Sequence, residues 1–409
     1  MNSATTTRLG LRSQPPTVPA LQLGQDPHGT YRRYRLATPF LRQEDDSYIA
    51  IRCGDVERLA TDARTRQMET ERLRNRGICS GALFELFENT MVYSNGIAHR
   101  RRRLPMSRAF TFSLIDSLRP KIRAAVHRLI DRVEGCGQMD LLGDFATLMP
   151  AQIISEILGL PDRDIPAFTR WVYQIAHAIG FSFEANEIPE IETAAGNLTA
   201  YVGELISQRR AAPADDFLSL YAVQAENEAN LSTSEMLSQV VTVIVSASEV
   251  MGVSMALLVA LLLQHTEQYE LLRQDSSLVG GAVAEALRFE PAVASTPRVT
   301  LADIEVDGFV VPEGKILSLS TMSAMRDPAL YTEPDYFNVR RTDHPRRHLV
   351  FGGGVHRCLG EVLARAELEE GLAVLLERLP NLCLIGEAPR ALGHAGIRRV
   401  TPMQVAWSR

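Results

Sequence analysis

No pair of cysteines in this 409-residue sequence forms a CxxC, and the five present (Cys53, Cys79, Cys136, Cys358, Cys383) are odd in number and far apart. That spacing excludes a disulfide framework and predicts a reducing, cytoplasmic setting. The opening stretch, MNSATTTRLGLRSQPPTVPALQLG, lacks the basic-then-apolar succession of a secretory signal. Residues 1–24 are instead expected to form a flexible N-terminal arm. An excess of positive charge is also missing: 43 Lys and Arg against 49 Asp and Glu leave a net charge of −6, which gives no footprint for nucleic acid. The nine histidines form no HExxH and no Cys/His metal set. There is no repeat, no Gly/Ser linker and no charge block, so residues 25–409 are predicted to fold as one domain.

What is present is mostly helical periodicity, with apolar residues returning at three and four positions in SLIDSLRPKIRAAVHRLIDRVE, LMPAQIISEILGL and LGEVLARAELEEGLAVLLERL. The segment PRVTLADIEVDGFVVPEGKILSLS alternates instead, turns at Asp307-Gly308 and Glu313-Gly314, and reads as short strands. The most apolar run, Val240 to Leu263, is long enough to span a bilayer. Its centre, however, carries Glu249, and Thr242, Ser246, Ser248 and Ser254 interrupt it further. No belt of Trp and Tyr flanks it, so it is read as a helix of the protein interior and not as a membrane anchor. Ser232 and Glu235 form a capping box at its start. A helix from there to Leu263 is roughly 45 Å long and should cross the whole domain.

Around Cys358 the chain reads HLVFGGGVHRCLG. Three glycines let the backbone approach something flat or bulky, and a helix N-terminus with Arg357 and His356 nearby should favour the thiolate. A lone cysteine in a Gly-rich turn is also compatible with a purely structural residue. A phosphate loop is not, since no Lys-Ser/Thr follows. Phe351, Gly352, Gly354, His356, Cys358 and Gly360 together reproduce FGxGxHxCxG, and on these residues the sequence resembles the cytochrome P-450 family. The resemblance runs from about residue 25 to the C-terminus. It also takes in Glu285 and Arg288 as ExxR, His99 and Arg103 as HxxxR, and SAMRDPALYTEPDYF, where Met325 replaces a usual asparagine.

The resemblance implies a mainly α fold with small β-sheets, enclosing haem b between a long distal helix and the cysteine loop. Cys358 would be the axial ligand of the haem iron, with Phe351 and Gly352 part of the loop against the porphyrin. His99, Arg103, Arg298, His348 and His356 would be the cationic partners of the propionates. Glu285, Arg288 and Arg341 would lock the core structurally. The implied activity is oxidation of a lipophilic small molecule, such as a terpenoid or steroid-like skeleton, in a pocket including Phe84, Phe87, Val293 and Ala294. Ile78, Leu83, Phe181 and Phe183 are further candidates. Electrons would come from a ferredoxin or flavodoxin with its reductase, docking on Arg100–Arg102, Arg108, Arg346 and Arg357.

One departure from the family pattern concerns proton supply. Where the distal helix usually reads A-G-x-[ED]-T-[TS], this sequence has Ser246-Ala247-Ser248-Glu249-Val250-Met251. The acid Glu249 is kept, but the hydroxyl that helps protonate bound dioxygen is replaced by Val250, which cannot donate. The substrate or a water ordered by it, Ser246 or Ser248 in place of the threonine, or a reaction that does not need such a relay remain as accounts. The last includes peroxide-driven or reductive haem chemistry, and a non-catalytic haem sensor is a third class.

Overall fold

The computed structural model describes residues 13–179, 183–227, 229–345 and 347–408, with the backbone alone for 112–114. It is mainly helical, and it is organised about one 32-residue helix, Thr233–Gln264. The capping box closes its start: the Glu235 amide donates to Ser232 Oγ at 3.1 Å and the Ser232 amide to Glu235 Oε2 at 3.0 Å. The first half of this helix buries Met236, Val240 and Val241 against the helices Ile165–Ile179 and Ile188–Ala211. Its second half buries Met255 through Leu263 against Val279–Phe289 and Glu361–Arg378. It therefore joins two apolar clusters, as a helix crossing the domain must. Gly252 lies where the Leu141–Ala146 turn passes, and a Cβ there would sit 3.0 Å from the Ala146 carbonyl oxygen. Two helices, Leu141–Leu158 and Thr233–Gln264, are apolar enough to cross a membrane, but 61% and 72% of their most apolar windows are buried inside the protein.

The predicted strands form at Ser295–Thr300, Ile304–Val306, Phe309–Val311 and Ile316–Ser320, with Asp307 and Gly308 at positive φ in the turn between the middle two. Ser295–Thr300 and Ile316–Ser320 pair antiparallel within a five-stranded sheet, which fixes the register Arg298↔Leu317. The N-terminal arm differs from expectation in the part that is described. Residues 1–12 lie outside the described residues, but 13–24 are packed on the sheet end of the molecule. Val18 and Leu23 are fully buried, Ala20–Gln25 is helical and Ser13 bridges to Phe309. Burying these side chains offsets the chain entropy that a polar composition leaves unopposed.

Candidate functional site

Between the long helix and the cysteine loop lies a cavity of about 320 Å³. Val243, Ala247, Val250 and Ser254 line it at spacings of three and four, so one stripe of the helix faces it. The opposite wall is the loop Phe351–Gly360 with the first turns of the Glu361–Arg378 helix. Gly352 and Gly354 have φ of 72° and 63°, a region that a side chain makes costly. A Cβ on Gly354 would also stand 2.8 Å from the Thr61 methyl. The loop so formed is closed by the Cys358 amide, which donates to the Phe351 carbonyl at 2.7 Å.

The Cys358 side chain lines the cavity and is solvent-accessible, with the surrounding protein displacing much of its hydration. Burial raises its pKa, outweighing the Gly360 amide and the Arg103 and Arg357 charges that lower it. The expected local preference for thiolate is therefore not met by the polypeptide alone. Arg357 is committed elsewhere, donating to the His348 and Gly352 carbonyls and pairing with Glu361.

Four basic side chains meet at the cavity edge with no carboxylate among them. The His99 ring lies 4.0 Å from that of His356, is almost fully buried, and leaves Nε2 without a partner. Arg103 donates to the Arg357 carbonyl at 2.5 Å. Arg298, 4% exposed, has only the Gln67 amide oxygen and the Pro297 carbonyl, each at 3.0 Å. Burial lowers the Arg298 pKa to about 10. Burial and the neighbouring arginines hold His99 at about 4, and burial, His99 and the arginines hold His356 at about 3. The two arginines are cations with no carboxylate partner here, which is costly when they are buried; an anionic group at this edge would pair with them and accept hydrogen bonds from the two neutral imidazoles. The donor set, the glycine-lined loop and the cavity-facing thiol fit a flat dianionic metal cofactor, which Cys358 would ligate.

His348 does not join this cluster. It is buried with its ring 5.5 Å from His344 and 6.3 Å from Phe351, and burial lowers its pKa. Its neighbourhood is the second arginine site, where Glu285 and Arg288 are both fully buried. Arg288 donates to the two Glu285 oxygens at 2.6 and 2.9 Å and to the carbonyls of Met325, Pro334 and Tyr336. Arg341 adds Nε at 3.1 Å from Glu285, and the Asn338 amide donates to it at 2.9 Å.

On the long helix, Ser246 and Val250 face the cavity and Glu249 does not. Ser248 is buried with its hydroxyl on the Ile244 carbonyl at 2.8 Å, so it is unavailable to the cavity. Glu249 Oε2 is buried without a partner, and burial raises its pKa to about 7 against a weak opposing effect of Arg399. A residue the sequence reading missed is Glu367, in the cavity wall on the Glu361–Arg378 helix. Both its carboxylate oxygens lack partners, and burial raises it to about 8. The signal was a carboxylate on the apolar face of ARAELEEGLAVLL, where periodicity predicts a buried position.

The expected pocket residues divide. Val293 lines the cavity, but Phe84, Phe87 and Ala294 do not. Phe87 stacks on Tyr93 at 4.6 Å, Phe84 lies under Arg74, and both belong to the core beside Ile78, Leu83 and Phe183. Ala294 is fully buried in the small cluster that holds Val18 and Leu23. Phe181 is outside the described residues. Met91, Val92 and Thr296 take the places expected of the phenylalanines. The basic docking patch is likewise thinner than expected, because Arg101 and Arg102 clamp Glu235, and Arg108 donates to Gln224. Arg346 lies outside the described residues, and Arg100 is exposed.

Comparison with known proteins gives a consistent result. The family model described as cytochrome P-450 matches residues 88–383. The plant-inducible cytochrome P-450-pinF1 of Rhizobium radiobacter is 42% identical over 394 residues, covering 96% of this chain and 93% of that protein. The nocardicin C N-oxygenase of Nocardia uniformis subsp. tsuyamanensis is 33% identical over 98% of this chain and 96% of its own. Among solved structures, CalO2 aligns with a TM-score of 0.87 at 27% identity, over 95% of this chain and 97% of that one. P-450BioI, solved with hexadec-9Z-enoic acid ligated acyl carrier protein, aligns at 0.83 and 29% identity, over 95% and 100%.

Proposed function

Since the chain belongs to the cytochrome P-450 family and is a haem b monooxygenase, we propose that it oxidises an uncharged, lipophilic small molecule with Cys358 as the axial ligand. When bound, the haem supplies dioxygen activation, drawing electrons from a ferredoxin- or flavodoxin-type donor and its reductase. The observation that carries the reading is the carboxylate-free group of His99, Arg103, Arg298 and His356 at the edge of the cavity that Cys358 faces. These four would hold the propionates, Phe351 and Gly352 would shape the floor under the porphyrin, and iron would displace the thiol proton that burial otherwise retains. The substrate would lie between Val250 and Ala247 on one side and Val293 and Thr296 on the other, a lining with few polar groups. Ser246 is the hydroxyl best placed to orient a substrate oxygen or a water there.

The test is the ferrous–CO spectrum of the haem-loaded protein. The thiolate-type band is expected in the wild type and absent from Cys358→Ser, and its absence from the wild type would sink the reading. Lipophilic compounds should then give a low- to high-spin shift, and carboxylated analogues should not. Val250 favours a second reading, peroxide-driven oxidation, in which the usual relay is dispensable. Product formed with hydrogen peroxide at the rate seen with the ferredoxin system would establish it.

A further inference from the structure

Gln239 lies in the apolar first half of the long helix and is fully buried. Its amide nitrogen donates to the Asn89 carbonyl at 2.7 Å and to the Glu235 carbonyl of its own helix at 2.6 Å. Its oxygen accepts from the Met91 amide at 2.6 Å. The helix Ala82–Asn89 ends at that carbonyl, and Thr90 turns out of it in an extended conformation, with φ −79° and ψ 150°. A helix end leaves carbonyls without partners in their own helix. Gln239 supplies a donor to the last of them and an acceptor for the amide two residues on. From there to Gly96 the chain has neither helix nor strand. Residues 90–95 cross one side of the cavity, where Met91 and Val92 line it. The segment is fixed again at Asn95, whose side chain accepts from the Gln67 amide at 2.9 Å and donates to the Gln67 carbonyl at 3.2 Å.

A carboxamide is costly to bury unless both its ends are bonded. Gln239 meets that condition only because two main-chain groups of the cavity wall come to it. Conversely, a stretch without regular structure is held as firmly as its few tethers hold it. We propose that Gln239 is a specificity-determining positioning residue, which sets the place of Met91 and Val92 and through them the shape of ligand that the cavity accepts. The proposal rests on the haem monooxygenase reading above. Gln239 itself does not line the cavity. With the wall fixed in advance, a bulky ligand packs on it without having to order it. With the wall loose, that ordering lowers the affinity. A ligand too small to reach the wall is indifferent to both states.

The experiment uses the full haem-loaded chain as wild type, Gln239→Leu, Val92→Ala and the double variant. Imidazole and 4-phenylimidazole, which bind ferric iron directly, are titrated by their optical shifts. Gln239→Leu should weaken 4-phenylimidazole about tenfold relative to imidazole, whose own affinity should stay within about twofold. In the Val92→Ala background the same substitution should change that ratio by less than about threefold, because part of the wall it acts through is gone. Hydrogen exchange at the Met91 amide should be slow in the wild type, with and without haem. In Gln239→Leu it should be about tenfold faster, while the amides of the long helix keep their rates. An unchanged ratio in Gln239→Leu, or one that moves toward tighter 4-phenylimidazole, overturns the proposal. So does an effect of the same size in the Val92→Ala background, or a Met91 amide unprotected in the wild type. A Gln239→Leu protein that has lost the thiolate CO band also overturns it, since the residue then supports the haem site as a whole. If neither Gln239→Leu nor Gln239→Met folds, the residue is structural and the proposal fails. A wild-type protein without the thiolate CO band instead refutes the functional reading, and the Met91 exchange result still stands for the tether alone.

Discussion

Two buried arginines in this molecule live under opposite conditions. Arg288 is fully buried and spends its donors on both oxygens of Glu285 and on three main-chain carbonyls, while Arg341 doubles the positive charge on the same carboxylate. Arg298 is 4% exposed and has one neutral amide oxygen and one carbonyl, and it shares the neighbourhood of His356 with His99 and Arg103. The first site is complete as folded: removing Glu285 would strand two guanidinium charges. The second has no such partner, and an anion would complete it. Buried charge that is fully paired reads as architecture, and buried charge left unpaired at the edge of a cavity reads as a ligand site.

The largest effect should come from breaking the complete site. Glu285→Gln strands two guanidinium groups, Arg288 and Arg341. It should cost about 3–5 kcal/mol of unfolding free energy, measured by urea denaturation, with and without haem alike. A loss below about 1 kcal/mol would mean that the carbonyls alone satisfy the arginines.

The mirror experiment removes charge from the incomplete site. Arg298→Met should leave the haem-free protein as stable as the wild type or more so, since an uncompensated buried cation is gone. Haem should dissociate faster, by a factor corresponding to about 1.5–3 kcal/mol for one charge-assisted hydrogen bond. Transfer of haem to an apo-globin scavenger measures it. Lower stability of the haem-free variant would show that Arg298 is already satisfied by its two oxygen partners.

Protonation separates the sites a third way. His99 has its pKa held near 4, below the ordinary value of 6.5, by burial and by Arg103 and Arg100. The unfolded chain therefore binds the extra proton first, and the haem-free protein loses stability as pH falls from about 6.5 toward 4. At pH 5 that loss is at most about 2 kcal/mol. Bound propionates would counter the arginines and shrink it. Denaturation at pH 7 and pH 5, with and without haem, and with His99→Gln as control, checks both sign and size. An equal loss in His99→Gln would assign the effect elsewhere.

The sequence made some of this readable and hid the rest, for physical reasons. The long helix was legible because a capping box and an unbroken apolar run are local signals, and Glu235 and Ser232 do form that cap. The strands around Asp307-Gly308 were legible because turn residues fix a hairpin locally. The cysteine loop and ExxR were legible as motifs, and the structure brings Glu285, Arg288 and Arg341 together. Which apolar residue meets the cavity was not legible. Phe84 and Phe87 share their helix's buried face with Leu83 and Leu86, and periodicity separates buried from exposed without separating core from cavity. His348 misled because it neighbours the motif in sequence while its ring turns toward His344. Glu367 was overlooked because two further glutamates follow it, and only packing shows that this one alone is shut away from water.

The smallest effect would come from converting one site into the likeness of the other. Gln67 Oε1 already lies 3.0 Å from an Arg298 nitrogen, so Gln67→Glu places a carboxylate where Arg298 lacks one without adding volume. Replacing a neutral acceptor by a charged one strengthens that hydrogen bond by about 1 kcal/mol, and the haem-free protein should gain that much in urea denaturation. The new charge should also repel an incoming anion and occupy its donor, so haem affinity should drop about fivefold, the same energy read as an equilibrium constant. Both changes should fade with rising salt far less than a surface pair would, because the site is buried. The two outcomes are linked: the more completely the introduced carboxylate satisfied Arg298, the less the cluster would need a propionate. A variant that bound haem as tightly as the wild type while gaining stability would show that Arg298 is not part of the anion site, and the contrast with Arg288 would then rest on His99, Arg103 and His356 alone.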